Sequence, residues 1–319
     1  MAELGIDLGG TKLVLAVGNG QGHVLAQRRR PTELSGNPRA DVEQIAEEAR
    51  SLLSEAGVEA GALRAIGIAA PGPLDPVRGA LCQPPNLPGW DDVPLCDWLA
   101  ELLGAPAYLE NDANAAALAE WRYGAGRGCR DMVYLTMSTG VGAGLVLDGR
   151  LHRGSTGTAG EVGHLPIEWN GDPCSCGRRG CLEAYVGGAA WTRRLRRLAS
   201  PDGRVARLAG GGEKVTPVHV IEAAREGDAF ASAELERFND YLARGIVALL
   251  FVLAPERIVL GTIPTAAGDA LCLDPVRRQV RERAWPILTR DLEIVAAGLG
   301  ERGPALAALS VAWELHAEA

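Results

Sequence analysis

The 319-residue sequence has no long hydrophobic run, no excess of positive charge and no basic, apolar leader. Its longest apolar stretch, residues 245–254, is bounded by Arg244 and Pro255. That is well short of the roughly 20 residues needed to span a bilayer, so it reads as buried helix. The opening Met-Ala-Glu-Leu-Gly-Ile-Asp lacks the charged start and apolar core of a secretory signal. A net charge of −8 supplies no basic field for DNA. An anionic ligand must then be held locally, by backbone N–H groups, glycines and a divalent cation. Coiled-coil heptads and low-complexity tails are also missing. These absences lead us to expect a cytoplasmic protein with neither a nucleic-acid nor a membrane partner. Four of the cysteines (Cys82, Cys96, Cys129 and Cys272) are scattered singly, mostly beside apolar residues. They read as small core residues of a reduced compartment.

What is present is an ordinary globular composition, 47% hydrophobic and 23% charged, long enough for two modest domains or one large one. A strand at residues 4–7 runs into Leu8-Gly9-Gly10-Thr11-Lys12, then into an apolar strand at 13–17. Asn19-Gly20 signals a tight hairpin, and residues 24–27 pair back. The same grammar returns at Met132: a strand at 133–135, a loop from Thr136 to Gly144, a strand at 145–147 and the turn Asp148-Gly149. A unit used twice implies two similar α/β halves facing one another. Between the copies lie an amphipathic helix at 41–56, a strand at 65–69, and a strand at 107–109 leading into an Ala-rich helix at 113–123. Residues 257–260 read as a strand, 204–212 as a flexible connection and 304–316 as a final helix.

The first glycine turn, Asp7-x-Gly9-Gly10-Thr11-Lys12, lets backbone N–H groups approach a phosphate. Thr11 adds a hydroxyl, Lys12 a charge, and Asp7 a carboxylate suited to Mg²⁺. Taken alone it is equally an ordinary glycine hairpin. It is neither a P-loop nor the glycine fingerprint of dinucleotide folds. The second loop repeats the chemistry with Thr136, Thr139, Gly140 and Gly142, and two such hairpins can cradle adjacent phosphates of one nucleotide. His164, Cys174, Cys176 and Cys181 make a Cys3His set for a closed structural zinc site, with no position left for a reactive water. Cys174 and Cys176 are too close in sequence to pair easily, and a bridge to Cys181 leaves an odd thiol. Asp112 sits between strand and helix, where Asp is a good N-cap. The polar company of Glu110, Asn111 and Asn114 favours a general base instead. Glu161 and Glu183 flank the cysteine loop and suit a polyhydroxylated ligand such as a sugar, in a pocket that Asn86, Asn111 and Trp90 would extend.

Together these segments resemble the ROK family (repressors, open reading frames, sugar kinases), over essentially the whole chain. Asp7-Leu-Gly-Gly-Thr-Lys12 is similar to its first phosphate motif, and Thr136 to Gly144 to its second. Residues 67–72 (Gly-Ile-Ala-Ala-Pro-Gly) and Asn86-Leu-Pro-Gly-Trp90 resemble its sugar-side loops. Glu110-Asn-Asp-Ala-Asn114 resembles its catalytic motif, and Gly160-Glu-Val-Gly-His164 with Cys174-x-Cys176-x4-Cys181-x-Glu183 its sugar and zinc signature. The resemblance implies an actin-like (ribonuclease H-like) duplicated fold, two α/β domains around a cleft, as a homodimer or higher homo-oligomer. We expect a small domain at 1–112 joined by the C-terminal helix at about 304–319, and a large domain at 113–303 carrying the zinc loop 164–181.

The implied activity is Mg²⁺- and ATP-dependent phosphorylation of a hexose 6-hydroxyl. Glucose is the first choice; N-acetylglucosamine, N-acetylmannosamine, mannose and fructose are the alternatives. By the same carry-over Asp112 is the base, and Asn86, Asn111, Asp112, Glu161, His164 and Glu183 contact the sugar. The adenosine loop departs from the pattern: Gly261 is followed by Thr262-Ile263-Pro264 instead of further glycine. Family repressors carry an added N-terminal helix-turn-helix, for which a phosphate strand starting at Leu4 is expected to leave no room. A sugar sensor without catalysis is the rival of another class.

Overall fold

The computed structural model describes residues 2–59 and 61–318; Ala319, the last residue of the expected C-terminal helix, lies outside the described residues. The first sheet begins as a meander. β1 (Ala2–Leu8) pairs antiparallel with β2 (Lys12–Gly18), which pairs antiparallel with β3 (Val24–Pro31). β4 (Leu63–Ala70) joins β1 in parallel, and β5 (Ala107–Asn111) joins β4 in parallel. The order is therefore β3-β2-β1-β4-β5. Parallel neighbours need a crossover, and α1 (Pro38–Glu55) supplies the one from β3 to β4. Asn37 caps α1 through the N–H of Ala40, and Val42, Ile45, Ala46, Ala49, Leu52 and Leu53 form its buried stripe. That stripe packs with Leu13, Leu15, Ile66 and Ile68 of the sheet.

The second sheet repeats this plan. β6 (Met132–Met137), β7 (Val141–Leu147) and β8 (Arg150–Leu151) form the antiparallel part. β9 (Arg257–Thr262) and β10 (Glu293–Ala296) add in parallel, giving β8-β7-β6-β9-β10. The duplication read from the two hairpins thus extends to whole five-stranded sheets.

The chain divides into one unit of Met1–Arg127, Gly154–Gly157 and Leu299–Ala319, and a second of Gly128–Arg153 and Thr158–Gly298. The helix α2 (Asp112–Tyr123) therefore belongs to the first unit, and the expected boundary at residue 112 is corrected to 127. The cause is packing. Ala115 and Ala119 of α2 share a core with Ala305, Leu306, Ala308 and Leu309, which lie on the helix Gly303–Glu318. The buried Glu120 also accepts from the N–H groups of Leu299 and Ala125 at 3.0 and 2.8 Å. The 303–318 helix lies directly on two glycines, Gly5 and Gly67, that face each other in β1 and β4. A Cβ on Gly67 would stand 2.1 Å from the carbonyl oxygen of Ala308, and one on Gly5 2.8 Å from the nitrogen of Leu309. Only glycine lets the helix backbone approach so closely.

Two further expectations are corrected. Residues 204–212 are not a loose connection: Arg204–Ala209 is a helix that buries Val205 and Ala206 and ends on a left-handed Gly210. So short an apolar face within a Gly-rich stretch carries little periodic signal. The run 245–254 closes the 25-residue helix Ala229–Leu253, but it is buried only on one side. Ile246, Leu249 and Leu250 face the core, whereas Phe251 and Val252 are 48% and 80% exposed. Among the described residues no helix is long and apolar enough to cross a membrane.

Candidate active site

In the first unit the sheet brings Asp7, at the end of β1, beside the glycine turn and Lys12, the first residue of β2. The turn is closed by Gly9 N–H donating to the Lys12 carbonyl (2.9 Å) and by the Thr32 hydroxyl donating to the Gly9 carbonyl (2.6 Å). The Thr11 carbonyl accepts from the N–H of Thr32. Gly10 is glycine for a steric reason, since a Cβ there would lie 2.5 Å from the carbonyl oxygen of Asn86. The exposed Asn86 is thus packed through its backbone against the first phosphate-type turn. Trp90 is corrected: it is 1% exposed within the core of this unit and presents no face to a ligand.

The junction of β5 and α2 separates the two roles that the sequence left competing for Asp112. Asn111 is the N-cap, its Oδ1 accepting from the N–H groups of Ala113 (3.0 Å) and Asn114 (3.4 Å). Asp112 is the first helical residue and is exposed, and its carboxylate accepts from the adjacent Ala113 N–H at 2.8 Å. Beneath it the buried Glu110 accepts from the Asn114 side chain at 2.9 Å and from the Asn111 N–H at 3.0 Å. These buried bonds fix the helix start and leave the Asp112 carboxylate facing solvent. Capping spends the Asn111 oxygen and leaves its amide N–H groups to act as donors.

Burial pushes the Asp7 carboxyl up to about 7; Lys12 opposes this, the charge of Asp112 adds to it, and Arg29 opposes it. Burial, with the charge of Arg29, lowers Lys12. Asp7 and Asp112 are therefore electrostatic neighbours. A folded-state value above the unfolded one means that the folded protein binds the extra proton between about pH 4 and 7. Stability contributed by the protonated form is then lost as pH rises through this window. We expect Asp7→Asn to raise the thermal midpoint at pH 8 and to leave it unchanged below pH 4. Equal midpoints at pH 8 would contradict this account of Asp7.

In the second unit the turn between β6 and β7 is tighter than the sequence suggests. Thr136 and Gly142 are partners within the ladder, and only Ser138, Thr139 and Gly140 form the turn. Ser138 N–H donates to the Gly140 carbonyl at 3.1 Å, while the Ser138 and Thr139 carbonyls accept from Gly188 and Ala189. Gly261 lies against Tyr134, where a Cβ would be 2.6 Å from the phenol oxygen. Thr262 has φ 60° and ψ −106°. For a β-branched residue this is strained backbone, costing on the order of 1–3 kcal/mol. Its hydroxyl is 2.6 Å from that of Thr136, which joins the end of β9 to β6 just before the second turn.

The cysteine segment closes on this same turn. Glu183 Oε2 accepts from Val141 N–H at 3.0 Å, and Oε1 accepts from the Ser175 hydroxyl at 2.7 Å. A Cβ on Gly140 would stand 2.4 Å from Oε2. Glu183, expected purely as a sugar contact, is therefore a tether between the glycine turn and the cysteine loop. Glu161 is exposed and precedes the short turn Val162–His164; Gly163 of that turn abuts the Val141 carbonyl. His164, Cys174, Cys176 and Cys181 offer ligand atoms that all lie within 4.8 Å of one another. Cys176 and Cys181 sulfurs are 3.8 Å apart, and Cys174 Sγ is 3.7 Å from His164 Nδ1. Ligands about 2.3 Å from a tetrahedral ion are separated by about 3.8 Å, so the donor set fits zinc. Because Nδ1 points at the sulfurs, His164 Nε2 is left for a second partner. The loop is anchored behind by Tyr185, which accepts from Asp172 N–H (2.7 Å) and stacks on Tyr241 with centroids 3.9 Å apart.

Two copies of one strand order, each with a glycine–threonine hairpin, define a protein of the actin-like ATPase fold as it occurs in the ROK kinases. The ROK family's sequence pattern matches residues 3–314, and the chain belongs to that family. It is 37% identical over 310 residues to a glucokinase of Thermotoga maritima, covering 97% of this chain and 96% of that one. Among solved structures it is similar to a ROK hexokinase from Thermus thermophilus (34% identity, TM-score 0.83, 100% of both chains). It is also similar to a ROK family glucokinase from Streptomyces griseus in complex with glucose and AMPPNP (30% identity, TM-score 0.81, 98% of this chain and 100% of that chain).

Proposed function

We propose that this protein is an ATP-dependent glucose kinase that transfers the γ-phosphoryl group to the sugar 6-hydroxyl. The observation that carries the reading is Asp112: an exposed carboxylate at a rigid helix start, relieved of capping by Asn111 and beside Asp7. Asp112 takes the proton of the attacking hydroxyl. The Gly10 backbone N–H, the Thr11 hydroxyl and Lys12 hold phosphoryl oxygens in the turn that Gly9 closes; Thr139 and Gly140 form the second phosphate turn, with Thr136 and Gly142 on the strands that flank it. Gly261 and Thr262 stand on the adenosine side. Asp7 would hold Mg²⁺, which supplies charge neutralisation on the phosphates when bound. Such positioning and charge stabilisation make up most of phosphoryl-transfer catalysis.

Asn86, Asn111, Glu161 and His164 are assigned to the sugar hydroxyls. Glu183 adds the lone pairs left by Val141 and Ser175, since a carboxylate accepts about four hydrogen bonds. His164 through Nδ1, Cys174, Cys176 and Cys181 would hold a structural Zn²⁺ that fixes the spacing of this loop. We place the protein in the cytoplasm, where thiols stay reduced. A homodimer or higher homo-oligomer is supported by the exposure of Phe251, Val252, Trp285 and Ile287 in the second unit.

An ADP-release assay with ATP, Mg²⁺ and a panel of hexoses tests the reading. Glucose is expected to give the highest kcat/KM, with N-acetylglucosamine, N-acetylmannosamine, mannose and fructose as lesser substrates. Sugar binding without turnover on any of them would favour a binding-only sensor.

A further inference from the structure

Strand β3 carries three consecutive arginines, and the sheet register sends them to opposite faces. Arg28 and Arg30 lie opposite Leu15 and Leu13, on the side of α1, and each finds a carboxylate there. Arg28 pairs with Glu55, and Arg30 with Glu48 at 2.9 Å. Arg29 lies opposite Val14, and Val14 lies opposite Asp7, so one row across the sheet reads Arg29, Val14, Asp7. Lys12, two residues before Val14 on β2, shares that face. Arg29 is exposed, and its side chain makes no hydrogen bond or ion pair among the described residues. Two cations, Lys12 and Arg29, thus act electrostatically on Asp7, whose other charged neighbour is the carboxylate of Asp112. A guanidinium without a protein partner, beside a phosphate-type turn and a lysine, suits the planar, two-point geometry of phosphate oxygens.

We infer that Arg29 is a second phosphate-binding cation of this site, contacting the terminal phosphoryl group of a nucleoside triphosphate. Lys12 carries charge to the turn itself, and Arg29 reaches the same group from the neighbouring strand. The inference rests on the kinase reading for the identity of its ligand. It goes beyond that reading in naming a residue outside both glycine turns.

The test compares Arg29→Met and Arg29→Lys with Arg28→Met, the matched change on the opposite face. Calorimetry with ATP and with ADP is run alongside steady-state kinetics. A hydrogen bond to a charged group contributes roughly tenfold to hundredfold in binding. Arg29→Met should therefore lose about 10–100-fold in kcat/KM for ATP and in the preference for ATP over ADP. KM for glucose and ADP affinity should stay within about twofold of the wild type, well inside a single weak contact. Arg29→Lys should recover part of the loss, and Arg28→Met should match the wild type. Unchanged ATP preference in Arg29→Met, or an equal loss in Arg28→Met, would overturn the inference. Wild-type turnover decides the kinase reading separately, because the ATP-over-ADP comparison needs no turnover.

Discussion

Replacing Asp112 with Asn is expected to lower the turnover of glucose and ATP by about 10²–10⁴-fold, the usual contribution of a positioned general base. Glucose affinity should be largely retained. The substitution keeps the start of the helix intact. The helix cap is Asn111, not Asp112, and an Asn at 112 keeps an oxygen able to accept from the Ala113 N–H. The underlying lock between Glu110 and Asn114 is untouched. What changes is the charge and basicity of the side chain, so the loss should appear in kcat and not in KM for the sugar. Glucose titration and single-turnover kinetics on the same preparation separate the two. Undiminished turnover would remove Asp112 as the base, and a lost binding isotherm would make it a sugar-binding residue instead.

Removal of the metal should have the second large effect. The four-ligand cluster and the distances inside it predict about one zinc per chain. A structural zinc supplies on the order of 10 kcal/mol to its local fold. Chelation, or Cys176→Ser, should lower the thermal midpoint by roughly 10 °C or more, given a few degrees per kcal/mol for a unit of this size. The effect should also travel further than the loop. Ser175 and Val141 are held by the two oxygens of Glu183, so loosening the cysteine loop frees the turn at Gly140. Hydrogen exchange at the Val141 amide is expected to accelerate in the metal-free protein, while exchange in β1 and β2 stays slow. Full stability and an unchanged Val141 amide after complete chelation would contradict the tether.

The features legible in the sequence are those that repeat or that carry local chemistry. The two hairpins announce themselves through turn residues and alternating apolar strands, and each belongs to a five-stranded sheet of the same order. The cysteine loop was readable because its ligand types and spacing are rare outside metal sites. Features that depend on register or on a third dimension were not readable. Arg28, Arg29 and Arg30 are indistinguishable until the pairing of β3 with β2 assigns their faces. Nothing local in Asn111-Asp112 says which of two good capping residues takes the cap. Trp90 at the end of a rigid loop resembles a sugar platform, and only the core around it shows otherwise. The strained Thr262 marks the place where a departure in sequence became a departure in backbone chemistry, with a hydroxyl pair in place of glycine.

If Asp112 takes the proton of the attacking hydroxyl, its carboxylate is required for every phosphoryl transfer from ATP to glucose. The most direct measurement is nuclear magnetic resonance of the product formed from glucose, ATP and Mg²⁺, with ADP followed in the same sample. Phosphate is expected esterified at the 6-hydroxyl, in step with ADP, with neither species formed by the Asp112→Asn protein on the same time scale. ADP formed without sugar phosphate, or ester at another hydroxyl, would contradict it.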